Sequence, residues 1–221
     1  MAGEGVIPFV PVQDAPRVRM SGQERREQLI RIGRAVFAER GYEAATVEEI
    51  AERAKVSKPV VYEHFGGKEG LYAVVVDREV RAILTRITRA LNATHPRVAL
   101  EQAAEAFLSY IEDEADGFRI LLRDAPLGSE TGSLRSVIGD IAAAVEHLLA
   151  REFKQRGYDR KIAPVMARAL VGMVAVTGQW WLDEGKPSRK VVGAHLVNLA
   201  WNGLKDLDPE PTKPRKRPKS A

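Results

Sequence analysis

The sequence predicts an all-α chain: an N-terminal three-helix head on a larger helical body, about nine helices in all. Three observations carry this. Apolar residues recur at helical spacing almost everywhere after residue 21. Sustained β-branched and aromatic alternation, the mark of strands, is absent. Capping boxes and glycine stops punctuate the first helices.

The first helix is expected over 21–41, because Ser21 and Glu24 form a capping box and Gly41 suits a left-handed C-cap. A second box, Thr46 with Glu49, opens a helix just over two turns long, whose Val47, Ile50, Ala51 and Ala54 share one face. The third starts near Ser57, holds Pro59 in its first turn where a missing N–H is harmless, and stops at Gly66 and Gly67. Two short helices joined by a tight turn make a helix-turn-helix candidate. From Lys68 the pattern lengthens: Leu71, Val74, Val75, Val80, Ile83, Leu84, Ile87 and Leu91 trace one long helix ending before Pro96. Further helices are expected over 98–114, 118–124, 133–156, 161–184 and 188–205. Residues 1–20 and 208–221 read as a disordered arm and a disordered basic tail, the latter alternating proline with charge. The domains are then a DNA-binding head over 21–67 and a body over 68–207.

The chain has no cysteine, which removes disulfides, thiolate metal sites and a cysteine nucleophile. Its longest apolar run, 169–176, falls short of the roughly 18 residues that a membrane span needs. A soluble, cytoplasmic protein without membrane partners is expected. The formal charge is +4, compatible with a nucleic-acid partner but decided by where the charges lie.

The segment "AKVSKPVVYEHFGGK", residues 54–68, concentrates the chemistry. If its helix enters a major groove, the leading residues Lys58, Pro59 and Val60 meet base edges, with Ser57 at the helix start a further DNA-binding candidate. Lysine donates to guanine, while the proline ring and valine methyls suit a thymine methyl. Tyr62 and His64 are spaced to bracket a phosphate, and contacts of that kind fix register rather than sequence. Lys68 and Thr46, each at a helix start, are candidate phosphate grips. Val61 and Phe65 point back toward Ala51 and Val56. Blander readings stand beside these: a solvated basic face, a capping His64, a Tyr42 that packs under the first helix, and helix-one arginines Arg25, Arg26, Arg31 and Arg34 paired with neighbouring acids.

Over residues 24–72 the sequence resembles the DNA-binding head of the tetracycline-repressor (TetR) family. The matching stretches are an apolar first helix with Phe37, then "RGYEAATVEEIA", "VSKPVVYEHF" and "KEGLY". One departure is Lys55, where such sequences commonly carry glycine; a left-handed lysine there costs about 1 kcal/mol. The resemblance implies a double-stranded DNA operator, a homodimer joined through the last two long helices, and a body that binds a small-molecule effector.

Physical features of the body agree with that arrangement. The helix near 163–183 is apolar or small around most of its circumference and needs cover on more than one side, with Ala169, Gly172 and Gly178 permitting close approach. Val192, His195, Leu196, Leu199 and Gly203 form a stripe for the second helix of a dimer bundle. Pocket candidates are Phe107, Tyr110, Ile111, Phe118, Leu122, Val137, Ile141, Met166, Leu170, Met173, Thr177, Trp180 and Trp181, a set that suits an elongated apolar ligand. The stretch "GMVAVTGQWWLDEGKPS" is similar to relatives that sense fatty acyl chains or acyl-CoA. The four histidines show no ligand clustering, so no metal and no cofactor is assigned. Two other classes stay open: an enzyme with an incidental head, although no nucleophile elbow or glycine-rich phosphate loop is present, and a chromosome-coating protein using Lys213, Arg215, Lys216, Arg217 and Lys219 of the tail.

Overall fold

The computed structural model describes residues 20–122, 134–205 and 207; residues 1–19 of the expected arm, the tail and positions 123–124 and 133 of two expected helices lie outside them. The described residues form nine α-helices and one short 3-10 turn, with no strand. The helices are α1 (Gly22–Ala44), α2 (Val47–Ala54), α3 (Lys58–Phe65), α4 (Lys68–Ala90), α5 (Pro96–Asp113), α6 (Ala115–Leu122), α7 (Leu134–Arg156), α8 (Ala163–Glu184) and α9 (Arg189–Lys205). The 3-10 turn, Arg160–Ile162, leads into α8.

Local chemistry sets most boundaries, with instructive exceptions. Ser21 and Glu24 form the full reciprocal box at the start of α1. Gly41 takes a positive φ (78°) that glycine tolerates, but with ψ 169° it is an extended kink rather than the expected left-handed cap, and a last turn runs on to Ala44. Only half of the second box forms. Thr46 Oγ1 accepts from the Glu49 N–H at 3.1 Å, while the Glu49 carboxylate turns instead to Arg53 at 2.6 Å, an i,i+4 ion pair. Pro96 is not a stop but the first residue of α5, where His95 Nδ1 accepts from the Arg97 N–H at 3.2 Å. Lys55 is left-handed, with φ 55° and ψ 45°, so lysine bears the strain that glycine would avoid at this C-cap.

One apolar core runs from Leu29 and Phe37 of the head through Leu71, Val75 and Ile83 of α4 to Phe107, Tyr110 and Phe118 in the body. A smaller cluster, built on Leu149, Phe153, Ala163 and Ala167, closes the far end of α7 and α8. The inward face of α8 consists of Ala163, Ala167, Val171, Ala175, Gly178 and Trp181. Gly178 is the close approach there: a methyl group on it would stand 2.5 Å from the Phe107 ring and 2.6 Å from Ile111. Ala169 and Gly172 do not serve inward packing, since Ala169 is exposed and space beside Gly172 is open.

A polar cluster sits where head meets body. Glu79 of α4 is only 8% exposed and is the one charged residue in the buried class among the described residues. Its Oε1 accepts from Arg34 Nε of α1 at 2.7 Å, and its Oε2 accepts from the Tyr110 hydroxyl of α5 at 2.7 Å. Arg34 Nη2 reaches on to Glu114, between α5 and α6, also at 2.7 Å. Burial, and then the Glu79 charge, push the Tyr110 phenol far up. Burial opposes the charge on Arg34, but the bonds and charges of Glu79 and Glu114 outweigh it and hold the guanidinium more firmly protonated. Gly117 of α6 lies against this cluster so closely that a Cβ there would stand 2.5 Å from Glu79 Cδ and 2.9 Å from Arg34 Nη2.

Candidate functional site

The turn between α2 and α3 is held from within. The Lys55 N–H returns to Glu52 O at 3.0 Å and the Val56 N–H to Ala51 O at 2.9 Å. From α1, Gln28 Nε2 donates to Ala54 O at 3.3 Å and Arg26 Nη1 donates to His64 O at 2.6 Å. The Arg26 guanidinium also lies over the Phe65 ring, 4.4 Å from its centroid. Arg26 and Gln28 thus serve the terminal carbonyls of both short helices, a role invisible in local spacing because the partners lie 38 and 26 residues away.

With Val61 fully buried, α3 presents its other side outward. Ser57, Lys58 and Pro59 are exposed, Val60 and His64 half-buried, and Tyr62 is 54% exposed. Ser57 makes no side-chain cap bond. Lys58 forms an ion pair with Glu48 at the start of α2, and that bond holds the Glu48 carboxyl below its usual range. Thr46 is exposed beside them.

Lys68 is more occupied than its sequence position suggests. Its Nζ donates to Tyr42 O at 2.9 Å and to Glu43 O at 3.3 Å, and it lies 4.4 Å from the centroid of the Tyr42 ring. An ammonium has three N–H groups, so one is left for a phosphate while two close off the end of α1. Tyr42 itself packs, its ring 4.8 Å from that of Tyr72.

An apolar cavity of about 110 Å³ lies in the body. Its walls come from α4 and its C-cap (Ile87, Leu91), α5 (Pro96, Leu100, Ala103, Ala104, Phe107), α7 (Val137, Ile138, Ile141, Val145, Leu148, Leu149 and the single charged residue Glu152), α8 (Leu170, Val171, Val174, Ala175) and α9 (Trp201, Leu204). Of the expected pocket residues, Phe107, Val137, Ile141 and Leu170 line it. The other nine do not. Tyr110, Ile111 and Phe118 are fully buried core, and Leu122 and Met173 pack on that core while Met166 packs on the smaller cluster. Thr177 is half-buried outside the cavity wall. Adjacent tryptophans on a helix diverge: the Trp181 indole N–H points inward to Pro187 O at 2.7 Å, whereas Trp180 is 50% exposed.

On the outside of α8 and α9 runs an apolar stripe. Val165, Val176 and Trp180 are exposed on α8, with Leu199 (64%) and Val191 on α9. The expected α9 stripe divides between two faces: Val192 and Leu196 are buried, while His195, Leu199 and Gly203 are exposed. The division follows from α9 packing on α5, where Gly193 approaches Leu108. Arg160–Glu184 also has the length and apolarity of a membrane span, a property that core and interface helices share.

Residues 29–75 match the family model for bacterial regulatory proteins of the tetR family, and residues 96–203 match a tetracyclin repressor-like C-terminal domain. The chain belongs to the tetR family. The HTH-type transcriptional activator FasR of Mycolicibacterium smegmatis is 34% identical over 190 residues, spanning 84% of this chain and 85% of that protein. A TetR-like transcriptional regulator from Rhodococcus sp. RHA1 superposes with a TM-score of 0.72 at 27% identity, covering 85% of this chain and all of that one. The fatty acid degradation regulator FadR from Bacillus halodurans shares the fold, with a TM-score of 0.65 at 20% identity over 80% of this chain and 98% of that one. This tetR-family chain is a DNA-binding transcription regulator with an N-terminal helix-turn-helix and a helical C-terminal body.

Proposed function

We propose that the chain works in the cytoplasm as a homodimer that grips a palindromic DNA operator and releases it when a hydrophobic small molecule fills the body cavity. The observation that carries this is the course of α4: it starts beside the reading helix at Lys68, and its far end walls the cavity with Ile87 and Leu91. Ser57, Lys58, Pro59 and Val60 read bases, while Thr46, Tyr62, His64 and the remaining N–H of Lys68 hold phosphates. The outward stripe of α8 and α9 meets its copy across a two-fold axis, which covers both helices.

Fatty acyl chains, free or as acyl-CoA, are the proposed effector class, supported by a lining with hardly a polar group and by the resemblance of residues 172–188 to acyl-sensing relatives. A cavity of about 110 Å³ is smaller than the roughly 300–1,000 Å³ of sites that enclose a drug-sized ligand. An acyl chain therefore has to part the walls, α4 among them, and that displacement changes the separation or tilt of the two reading helices.

The primary reading is repression relieved by the effector. Activation of lipid-metabolism genes is the second reading, favoured by the description of the M. smegmatis relative as an activator. A band-shift titration with the promoter beside the chain's own gene tests DNA binding, and absence of a salt-sensitive, sequence-selective shift sinks it. Repeating the titration with a long-chain acyl-CoA tests release; Ala104→Leu, which fills the cavity, is expected to abolish the response and leave operator binding intact. A reporter strain with and without the chain separates repression from activation.

A further inference from the structure

We infer that the buried cluster of Arg34, Glu79, Tyr110 and Glu114 fixes the attitude of the reading head on the body, so that these four are positioning residues for operator binding. The inference rests on the regulator reading above, since a dimer has to hold its two reading helices at one separation to meet two half-sites.

Apolar packing between head and body is non-directional and tolerates small slides. The cluster does not. Both oxygens of Glu79 are committed in fixed directions, to Arg34 on α1 and to Tyr110 on α5, and Arg34 extends the same restraint to Glu114 between α5 and α6. Gly117 brings α6 against Glu79 and Arg34 with no room for even a methyl group. Sliding α1 or α5 against α4 by the 1–2 Å typical of switching proteins breaks a bond to Glu79 and leaves that buried charge short of a partner; Glu114 is more exposed and has Arg86 as a second cation. Of the other polar ties between α1 and α4, Arg78 with Glu27 is solvent-exposed and restrains little, while Lys68 with the Tyr42 and Glu43 carbonyls joins the two helices at their ends beside the head.

The cluster is also in contact with the cavity wall. Phe107 lines the cavity, meets Phe118 edge-on at 5.6 Å, and Phe118 meets Tyr110 edge-on at 6.4 Å. The edge of the Phe107 ring also lies against Gly178 with no room for a methyl group, so movement of that ring toward α8 is opposed. Filling the cavity thus bears, through two ring contacts, on the residue whose hydroxyl holds Glu79. A graded push becomes a choice between a satisfied cluster and a broken one.

The absence of native cysteine permits a direct test. Spin labels are placed at Glu52→Cys on the exposed side of α2 and Asp140→Cys on the exposed side of α7, and labelled chain is diluted with unlabelled chain so that only the head-to-body distance within one chain is read. Tyr110→Phe and Glu79→Gln are expected to shift or broaden that distance by about 1–2 Å or more, with helicity unchanged. On operator duplexes whose half-site spacing is stepped by single base pairs, both variants are expected to lose at least about fivefold of the parent's spacing preference. A plain loss of stability lowers affinity at every spacing alike, so the preference separates positioning from bracing. Parent-like distances and spacing preference in Tyr110→Phe, which removes one oxygen atom and keeps the ring, overturn the inference even if Glu79→Gln fails to fold. A parent that binds no duplex selectively sinks the regulator reading and the operator role together; a parent that does, with variants that match it, sinks the cluster alone.

Discussion

Replacing Gly117 by alanine sets two known effects against each other. Alanine in a helix interior is favoured over glycine by about 1 kcal/mol, so at an ordinary position of α6 the change stabilises. Here the new methyl carbon would stand 2.5 Å from Glu79 Cδ and nearer still to Oε2, well inside contact distance. The carboxylate has to move off, giving up the 2.7 Å bond from the Tyr110 hydroxyl. A hydrogen bond to a buried charge contributes about 1.5–3 kcal/mol, and little water is there to replace it. The net expectation is a loss of about 0.5–2 kcal/mol, or a melting temperature lowered by roughly 1–8 °C for a chain of this size. Urea unfolding at constant slope is the assay. The double-mutant cycle with Glu79→Ala isolates the cause: with the carboxylate gone, Gly117→Ala becomes neutral or stabilising, a coupling of at least about 1 kcal/mol. A stabilised Gly117→Ala in the parent background, or an equal cost in both backgrounds, refutes the clash.

Lys58→Ala is expected to weaken operator binding by about 1–3 kcal/mol and to relax preference at one base pair, with unfolding unchanged, as read by band shifts on a panel of substituted duplexes. Leu199→Asp places a charge in the outward stripe and is expected to give a monomer of unaltered helicity in sedimentation, whereas a dimer mass removes that stripe from the interface. Glu27 lies below its usual carboxylate range because Arg78 donates to it, and Glu39 because Arg53 does. A depressed folded-state value means that the stabilisation is present above the ordinary glutamate value of about 4.3 and is lost as pH falls through the lower one. Urea midpoints measured down a pH series should fall in that window, by less in 1 M NaCl, and Glu27→Gln should flatten the decline.

Much of the head was legible because its boundaries are local. A serine with a glutamate three residues on, a proline in the first turn and a glycine that can turn left-handed are each decided within a few residues, and α1, α2 and α3 follow them closely. Glu49 departs from that logic because Arg53 offers its carboxylate a better partner than the cap's own N–H. In the body the same periodicity says less. A helix apolar on nearly every side, as α8 is, does not reveal which side faces in, so Trp180 and Trp181 could not be told apart. Of the large residues assigned to a pocket, Phe107, Val137, Ile141 and Leu170 line the cavity, while Tyr110, Ile111 and Phe118 are core beside it. The head–body cluster had no local signal at all, its partners lying 45 and 80 residues apart. One clue was present: Glu79 occupies a position between Val76 and Ile83 on the buried stripe of α4, and a lone acid on an apolar stripe needs a cation or a hydroxyl opposite it.

Under the proposed pairing of two chains, the stripe formed by Val176, Trp180 and Leu199 would tie gene control to chain supply. If only the paired form reads DNA, the functional species at low expression grows with the square of how much chain is made. Control of the target genes would then fall off more steeply than the amount of chain, over a concentration range set by how strongly those few side chains associate, with no signal molecule involved.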